Sequence, residues 1–333
     1  MNILTPITCL KDVKELHMLG ANEFYCGYVP DYWVEAFNKN ITNERIVHYQ
    51  VGINKKDVNV ANIESIDEMI EISRYISSIG SELFVTVNAA FYPEIAYPIL
   101  DRYFKELMEL AIENLIVNDL GLLFYLHKNY NKFKITISCL SQVTNKYAVS
   151  LYKSFGVRRI VFPRHISCSE MIKVAEAFPE IEFEFFVLSG KCIYDDGYCR
   201  CHHDFGQLCT DTWESFLYDY SSENKNNKEN RVAIEKARDE FRKWSLNVGS
   251  INMGCSLCAL NTVKGINNIC SVKIAGRGKA DDIKKKMVLL TKKVIDISEN
   301  REDIESIREV VKKSFIAQDG ICDENRFCYM KGF

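Results

Sequence analysis

The sequence predicts an α/β fold, a (β/α)8 barrel of the TIM type with a long insertion after the seventh strand. Short runs of β-branched residues alternate with amphipathic helical stretches along most of the chain, which favours a parallel sheet with helical crossovers. Three of the helical stretches end at a glycine, namely Gly20, Gly80 and Gly156. Eight such units suggest closure into a barrel, and an open doubly wound sheet is the alternative that uses the same alternation.

The first half of the chain contains four predicted strands and four predicted helices. The strands are Asn2–Thr5, Glu23–Cys26, Leu83–Val87 and Leu115–Val117, and the helices are Val13–Leu19, Ile66–Ile79, Ile99–Ile112 and Leu122–Asn129. The segment Tyr28–Ala61 follows the second strand and is mostly polar. We therefore expect it to be a long loop on the face where the strands end, which is where barrel proteins place their chemistry.

The second half continues the alternation and is interrupted once. The strands are Lys134–Ser138, Arg159–Phe162, Glu182–Val187 and Ser271–Ala275, and the helices are Lys146–Phe155, Ser169–Phe178 and Asp281–Ile297. A lid-like insertion at about 202–250 carries a polar run at 221–230 and a charged helix near Val232–Trp244. We expect residues 1–297 to form the barrel with this insertion, and residues 298–333 to form a C-terminal helix and tail packed on it.

Composition and charge narrow the class of protein. Hydrophobic residues make up 47% and charged residues 26% of the 333 positions, as in ordinary soluble proteins. With a formal net charge of −3, the chain lacks the excess of basic residues that is typical of nucleic-acid-binding proteins. No apolar run reaches the length of a membrane span and the N-terminus lacks a signal pattern, so we expect a cytoplasmic protein. The run Lys284–Lys286 is expected to form a solvated helix face.

Thirteen cysteines are many for a protein from a reducing compartment, where a cysteine cluster indicates metal or redox chemistry. A dense group follows the seventh strand, and a C-x2-C pair follows the insertion. These are Cys192, Cys199, Cys201 and Cys209, and then Cys255 and Cys258. Four thiolates around one centre suit either zinc or an iron–sulfur cluster.

Other roles for the cysteines stay open. Zinc would favour mixed ligation, for which Cys201 and Cys209 with His202 and His203 are rivals to the set above. Cys322 and Cys328 near the C-terminus are a further ligand or redox pair, or spare thiols of an ordered tail. Four cysteines in or near apolar runs are expected to be small buried hydrophobes: Cys9, Cys139, Cys168 and Cys270. Cys26 and Cys139 also lie at strand ends, on the same face as Cys192.

Several short sequence motifs at the ends of the predicted strands resemble those of a known protein family. Their core is Glu184, Phe186, Cys192, Gly197 and Cys199. Supporting strings are Thr86-Val87-Asn88, Val117-Asn118-Asp119-Leu120-Gly121, Ser138 with Thr144-Asn145, Arg164, and Lys273-Ile274 with Gly276-Arg277. In these residues the chain resembles peptidase family U-32, the collagenase-like family, which includes the oxygen-independent hydroxylation proteins of ubiquinone biosynthesis and of RNA modification.

The resemblance implies a barrel and, in the hydroxylation branch, a four-cysteine [4Fe–4S] cluster. Cys192 and Cys199 match the first two ligands, and Cys255 and Cys258 resemble the later pair, displaced here by the insertion. Several polar positions of the family differ. Leu188 and Ser189 replace a histidine and a glycine, Leu140 replaces a glutamine, and His165 and Ala275 replace glutamates. Of the properties known in the family, binding of an iron–sulfur cluster is therefore the one that the resemblance supports best.

The leading functional expectation is an oxidoreductase, or a subunit of one, that acts in oxygen-independent hydroxylation or a related redox modification of a small molecule or peptide. Arg164 and Arg277 are candidates to hold a carboxylate, and His165 is a further candidate site residue. The alternative for each arginine is an ion pair at the barrel rim. A related barrel subunit and an electron donor are the expected partners. RNA is not expected, because the RNA-modifying members are longer.

Two other functions remain open. One is a collagenase-like peptidase, in which Cys199 or Cys201 would pair with His165, His202 or His203. The other is a non-catalytic scaffold subunit that carries zinc or a cluster.

Overall fold

The computed structural model describes residues 1–40, 62–89, 91–190, 196–197, 235–236, 254–300, 303–314 and 328–329. Within those ranges it contains nine strands. These are β1 (Asn2–Pro6), β2 (Glu23–Tyr28), β3 (Asn62–Ile63), β4 (Glu82–Val87), β5 (Asn114–Val117), β6 (Lys134–Ile137), β7 (Arg159–Val161), β8 (Glu182–Leu188) and β9 (Ile269–Ile274). The insertion predicted at 202–250, with its charged helix, lies outside the described residues apart from the helical positions 235–236.

Ten α-helices lie in the same described ranges. They are α1 (Leu10–Met18), α2 (Asp31–Asn40), α3 (Ile66–Ser78), α4 (Tyr97–Glu109), α5 (Leu120–Asn129), α6 (Lys146–Lys153), α7 (Cys168–Ala177), α8 (Ala259–Val263), α9 (Asp281–Glu299) and α10 (Ile304–Lys312). Two short 3-10 turns precede α4 and follow β6. Helix starts are set by local capping: Asp119 accepts from the Leu122 amide at 2.6 Å, and Ser167 with Glu170 forms a capping box.

All the strand pairings are parallel, and they close on themselves. β1 pairs with β2 on one side and with β9 on the other, and the order between them runs through β4, β5, β6, β7 and β8. The result is a closed eight-stranded barrel, in which β3 is a two-residue extra strand beside β2. The predicted (β/α)8 barrel is confirmed, and the open-sheet alternative is excluded by the β1–β2 pairing.

The alternation of side chains along the strands separates two apolar layers. On β8, Phe183, Phe185 and Val187 belong to the large core between the strands and the helices. A smaller cluster from four neighbouring strands fills the middle of the barrel: Leu4, Tyr25, Phe84 and Ile116. The barrel interior is therefore packed with side chains, as in other barrels of this type, and is not a pore.

Ionic side chains fill the interior below that cluster, towards the end where the strands begin. Arg159 donates to both oxygens of Glu23 at 2.8 Å and to Glu184 at 3.3 Å. Lys273 donates to the other Glu184 oxygen at 3.0 Å, and Ser271 donates to Glu23 at 2.6 Å. We call these five residues the base network; all of them are buried, and each charge faces an opposite one.

A second ionic group closes the rim below the base network. Arg158 donates to Glu82 at 2.6 and 3.0 Å, to Glu182 at 3.0 Å and to the Asn114 side chain at 3.0 Å. Each of the two carboxylates is about one third exposed. This rim therefore joins β4, β5 and β8 through a single guanidinium.

Two local predictions are wrong. The segment predicted as a loop at Tyr28–Ala61 begins with α2, whose Trp33 is fully buried against the ring of Tyr103 at 5.1 Å between centroids. The lysine run is not entirely solvated, because Lys284 is 1% exposed and lies 2.6 Å from Asp12 on α1. Both departures come from partners distant in the sequence, which local patterns do not contain.

No helix among the described residues is long and apolar enough to cross a membrane.

Candidate functional site

The C-terminal ends of the strands form a mouth that contains most of the described candidate residues. An apolar cluster forms part of its inner wall: Cys139, Val161, Phe186, Ala275 and Tyr329. Arg164 follows β7, and Arg277 follows β9. The parallel pairing brings these strand ends to one face, which is the functional face of such barrels.

Arg277 is held by hydrogen bonds to two neutral side chains. Its Nη1 donates to Asn62 Oδ1 at 3.1 Å and to Thr86 Oγ1 at 3.1 Å. Position 27 must be glycine here, since a Cβ on Gly27 would lie 2.0 Å from Asn62 Oδ1 and 2.5 Å from Arg277 Nη1. Burial lowers the pKa of the Arg277 guanidinium. A guanidinium held this way in a poorly solvated place is well suited to bind an anion.

Arg164 makes an ion pair with Asp196, as the rim alternative predicts. Its guanidinium contacts an Asp196 oxygen and its backbone N–H donates to the other at 2.7 Å. The guanidinium carbon lies 3.8 Å from the ring centroid of Phe186 and 5.9 Å from that of Tyr329. Burial opposes its charge, but Asp196 and the neighbouring groups outweigh it and raise the pKa of Arg164. Arg164 is thus tied to the protein through Asp196.

Tyr25 interacts electrostatically with both arginines. Its hydroxyl donates to the Ile274 carbonyl at 3.0 Å. Burial raises the pKa of Tyr25, while the positive charges of Arg277 and Arg164 act in the opposite direction. Burial likewise raises the pKa of Cys26 and of Cys139 to about 12 each. Both of these strand-end cysteines are therefore protonated at neutral pH, and neither is a nucleophile in this environment.

Four buried polar atoms around the mouth have no hydrogen-bond partner among the described residues. They are Asn88 Oδ1, Gln142 Nε2, Arg164 Nε and Ser189 Oγ. Gln142 and Ser189 also have positive φ angles of 52° and 67°, which are uncommon for residues with a Cβ. Such atoms and such backbone angles concentrate at functional sites, so the mouth has unused capacity to hydrogen-bond a ligand.

The C-x2-C pair begins beside the end of β8. Cys255 forms an antiparallel bridge with Leu188, supported by Ser189 N–H to Gly254 O at 2.7 Å and Ser256 N–H to Val187 O at 2.9 Å. Cys255 is 6% exposed. Cys258 precedes α8 and lies against the guanidinium of Arg308 on α10.

The remaining predicted ligands are not described. Cys192, Cys199, Cys201 and Cys209, with His202 and His203, lie outside the described residues. Within the described ranges, no three His, Cys, Asp or Glu side chains converge as ligands of a metal ion. Cys255 and Cys258 supply soft donors, two residues apart, next to a strand end that leads directly into Cys192, so the donors that are described fit a thiolate-bound group. The four-cysteine site stays a prediction.

His165 is exposed in the turn after β7. Three contributors to the mouth were not predicted: Tyr25, Asp196 and Tyr329. An Asp-Gly turn signal at 196–197 was available within the family signature. No local pattern marks Tyr329, because its position depends on the return of the C-terminal segment to Cys255.

Comparisons with known proteins give a family and several relatives. The model of peptidase family U32 matches residues 10–318. The tRNA hydroxylation protein P of Haemophilus influenzae is 24% identical over 201 residues, covering 59% of this chain and 37% of that protein. That of Escherichia coli is 23% identical over 197 residues, covering 59% and 38%. The tRNA hydroxylation protein P1 of Bacillus subtilis is 26% identical over 135 residues, covering 40% and 32%. These matches span less than half the length of the relatives.

Solved structures give weaker matches. The U32 peptidase Mk0906 matches with a TM-score of 0.40 and 12% identity, covering 58% of this chain and 70% of that one. N-acetylneuraminate lyase from Fusobacterium nucleatum matches with a TM-score of 0.47 and 7% identity, covering 98% and 84%. The fold assignment therefore depends on the strand pairing of the chain itself.

Proposed function

The chain belongs to peptidase family U32, and from this premise we propose that it is an iron–sulfur-dependent oxidoreductase, or a subunit of one, acting in oxygen-independent hydroxylation. Its site is the mouth of the barrel. The cluster ligands are Cys192, Cys199, Cys255 and Cys258. The named relatives are hydroxylation proteins, which supports the reaction class.

One observation carries the proposal. The bridge between Leu188 and Cys255 brings the C-x2-C pair to the end of β8, and Cys192 follows that strand end by four residues. Cys255 thus lies beside the strand end after which Cys192 follows in the sequence, although the two cysteines are more than sixty positions apart. The Arg308 guanidinium beside Cys258 stabilises the thiolate form that a metal requires.

Each part of the mouth has a role in this proposal. When bound, a [4Fe–4S] cluster supplies one-electron transfer. Arg277 binds a carboxylate of the substrate or of an oxygen donor, because its fork of N–H groups matches two carboxylate oxygens. Asn62 and Thr86 hold that guanidinium in place, and the protonated Tyr25 hydroxyl lies near it. Arg164 keeps the turn around Asp196 attached to the end of β7.

The substrate is the open part of the proposal. The expectation against RNA is not supported by the comparisons, since the curated relatives are named for tRNA hydroxylation. We therefore include tRNA with a small molecule and a peptide among the substrates to test. A related barrel subunit and an electron donor remain proposed partners.

Ligand variants test the site. Protein purified without oxygen is expected to be brown, with broad visible absorption, and Cys255→Ala and Cys258→Ala are expected to be colourless. Cys270→Ala is the matched control, because Cys270 is a partly buried thiol on β9 next to Glu182, among the rim ion pairs. A preparation that stays colourless after anaerobic reconstitution would contradict the proposal, as would colour that survives in Cys255→Ala.

Mass spectrometry of tRNA nucleosides tests the substrate. Total tRNA from cells that express the chain is compared with tRNA from cells that express Cys255→Ala. A nucleoside heavier by one oxygen atom in the first sample only identifies tRNA as the substrate. Equal nucleosides, with the colour of the protein intact, exclude tRNA and leave the small-molecule and peptide substrates.

The peptidase alternative pairs Cys199 or Cys201 with His165, His202 or His203; His165 is exposed after β7, and the other four lie outside the described residues. It remains testable as peptide cleavage that is abolished by thiol alkylation. The scaffold alternative predicts a bound zinc or cluster without any change in substrate.

A further inference from the structure

The C-terminal segment returns to the end of β8, where Tyr329 joins the apolar cluster of the mouth and Cys328 packs beside Cys255 against the large core. Cys328 forms a parallel bridge with Cys255, and the Tyr329 N–H donates to the Cys255 carbonyl at 2.9 Å. The Tyr329 hydroxyl donates to the Ser189 carbonyl, and its ring packs so closely that a Cβ on Gly254 would lie 2.5 Å from it. Tyr329 is 7% exposed. The segment is therefore fixed beside Cys255 by the backbone and by a buried ring.

The bridge places the two cysteines in register. Paired strands lie about 4.7–4.9 Å apart, which falls within the range of about 4.4–6.8 Å between the Cα atoms of disulfide-bonded cysteines. Residues directly opposite each other in a ladder point to the same face of the sheet. Both cysteines are thiols in the structure, Cys255 being buried and Cys328 partly exposed.

From this arrangement we infer that Cys255 and Cys328 are a redox-active pair, which closes into a disulfide when the protein meets a peroxide and Cys255 holds no metal. The Cys328 thiolate, being more exposed, attacks the peroxide; the O–O bond breaks, and a sulfenic acid and a hydroxide form. The Cys255 thiolate then attacks that sulfur, the S–S bond forms and a second hydroxide leaves. Two thiols lose two electrons to the peroxide, and their two protons join the two hydroxides as water.

Two neighbouring thiols are less suitable partners for Cys328 and Cys255. Cys168 lies near Cys328, but its pKa is raised to about 12, chiefly by burial, which keeps it protonated and unreactive. Cys258 interacts with the Arg308 guanidinium and is not part of the bridge. Only the bridge holds two cysteines in register among the described residues.

The disulfide has a consequence that rests on the proposed function. If Cys255 is a cluster ligand, then the cluster and the disulfide exclude each other, because one sulfur cannot serve both. Oxidation would then tie Cys328 to Cys255 and hold the chain in a cluster-free form. Reduction of the disulfide would restore the ligand.

Peptide mapping tests the pair on the full chain. Protein stripped of metal by a chelator is treated with hydrogen peroxide, its remaining thiols are alkylated, and it is digested with trypsin without reduction. Cleavage sites in the sequence put Cys255 with Cys258 in peptide 244–264, Cys328 in 327–331, Cys322 in 314–326 and Cys168 in 165–173. The expected product links 244–264 to 327–331, and it is absent after treatment with a reductant.

Serine variants show which two sulfur atoms form the disulfide, and they provide the controls. Cys258→Ser and Cys168→Ser are expected to keep the linked product, and Cys328→Ser to lose it while Cys255 becomes alkylated. Alkylated Cys255 in the peroxide-treated wild type would overturn the inference, as would linkage of Cys328 to Cys168. A thermal melt of each variant confirms that it is folded, so that loss of the product reports the missing sulfur.

The same experiment separates this inference from the proposed function. Protein with its cluster is expected to form the linked product only as its visible absorption disappears. If the chain binds no cluster, the product forms equally fast with and without the chelator. That result would support the redox-active pair of Cys255 and Cys328 and would contradict the proposed function.

Discussion

The base and the mouth of the barrel both contain charged and polar side chains, but the extent to which these side chains have partners differs. In the base network, Arg159 and Lys273 face Glu23 and Glu184 at 2.8–3.3 Å, so every charge is paired. At the mouth, Arg277 is hydrogen-bonded to neutral side chains, and Arg164 has an unmatched Nε. Among the described residues, the charges of the base network are therefore matched by opposite charges, whereas the mouth contains unmatched polar atoms on Asn88, Gln142 and Ser189.

This difference separates stability from function in one barrel. A satisfied ion network in a buried layer fixes the register of the strands that carry it, and it is strongly destabilised when one partner is lost. Buried polar atoms without a partner lower the stability of the fold, and a ligand that hydrogen-bonds to them recovers part of that loss. The predictions below test this separation, from the largest expected effect to the smallest.

Arg159→Met is expected to lower the free energy of unfolding by about 3–5 kcal/mol, because it leaves Glu23 buried without its charged partner and Glu184 with Lys273 alone. Urea unfolding followed by circular dichroism measures the loss. The double variant Glu23→Gln with Arg159→Met is expected to lose less than the sum of the two single losses. A loss below about 1 kcal/mol in Arg159→Met would contradict the assignment of stability to the base.

Glu82→Gln at the lower rim is expected to cost about 1–2 kcal/mol near pH 7, reduced by partial exposure of the pair. Burial opposes ionisation of Glu82, but the hydrogen bond and the charge of Arg158 outweigh it, and they lower its pKa. A lowered pKa in the fold stabilises the protein above the unfolded value of about 4.3, and the stabilisation is lost as pH falls through the lower value.

The difference between Glu82→Gln and the wild type should therefore shrink as the pH is lowered below about 4. Unfolding at a series of pH values measures it. Glu113→Gln is the matched control, since its pair with Lys134 at 2.7 Å is about half exposed. An equal, pH-independent loss in both variants would contradict the role of Arg158.

Tyr329→Phe is expected to cost about 1 kcal/mol, because it removes the hydroxyl donor to the Ser189 carbonyl and keeps the ring. Urea unfolding of this variant is compared with that of Tyr147→Phe, where the tyrosine is 76% exposed and no change is expected. Equal stability of the two variants would show that the C-terminal segment is not docked through this hydrogen bond.

Arg277→Met is expected to change the free energy of unfolding by less than about 1 kcal/mol. Burial disfavours the charge of Arg277, as its lowered pKa indicates, so its removal offsets the lost hydrogen bonds to Asn62 and Thr86. The same variant should abolish formation of the hydroxylated product. A loss of stability as large as that of Arg159→Met would remove the distinction between base and mouth.

The sequence predicted elements that are set by local patterns. Leu83–Val87 and Asp281–Ile297 were placed within one or two residues of β4 and α9, because β-branched runs and apolar periodicity are local properties. Closure of the barrel was also predicted from the sequence, because it depends on the number and order of the strand–helix units. The family resemblance was confirmed over residues 10–318.

The parts that were missed depend on contacts between distant residues. Lys284 was assigned to solvent because its partner, Asp12, is 272 positions away. Asp31–Asn40 was grouped with the polar residues that follow it, although it contains Trp33, Val34 and Phe37; the burial of Trp33 depends on its contact with Tyr103, which is distant in the sequence. Tyr329 reaches the mouth through a bridge to Cys255, which no periodicity in the C-terminal segment indicates. The pairing of Arg164 likewise depends on Asp196, which is 32 positions away in the sequence.

Metal analysis of protein purified without oxygen tests the central claim most directly. Iron and acid-labile sulfide are measured per chain together with zinc, for the wild type and for Cys255→Ala. We predict iron and sulfide in the ratio of a [4Fe–4S] cluster in the wild type, with both lost in Cys255→Ala. Zinc without sulfide in the wild type, or a full complement of iron and sulfide in Cys255→Ala, would contradict it.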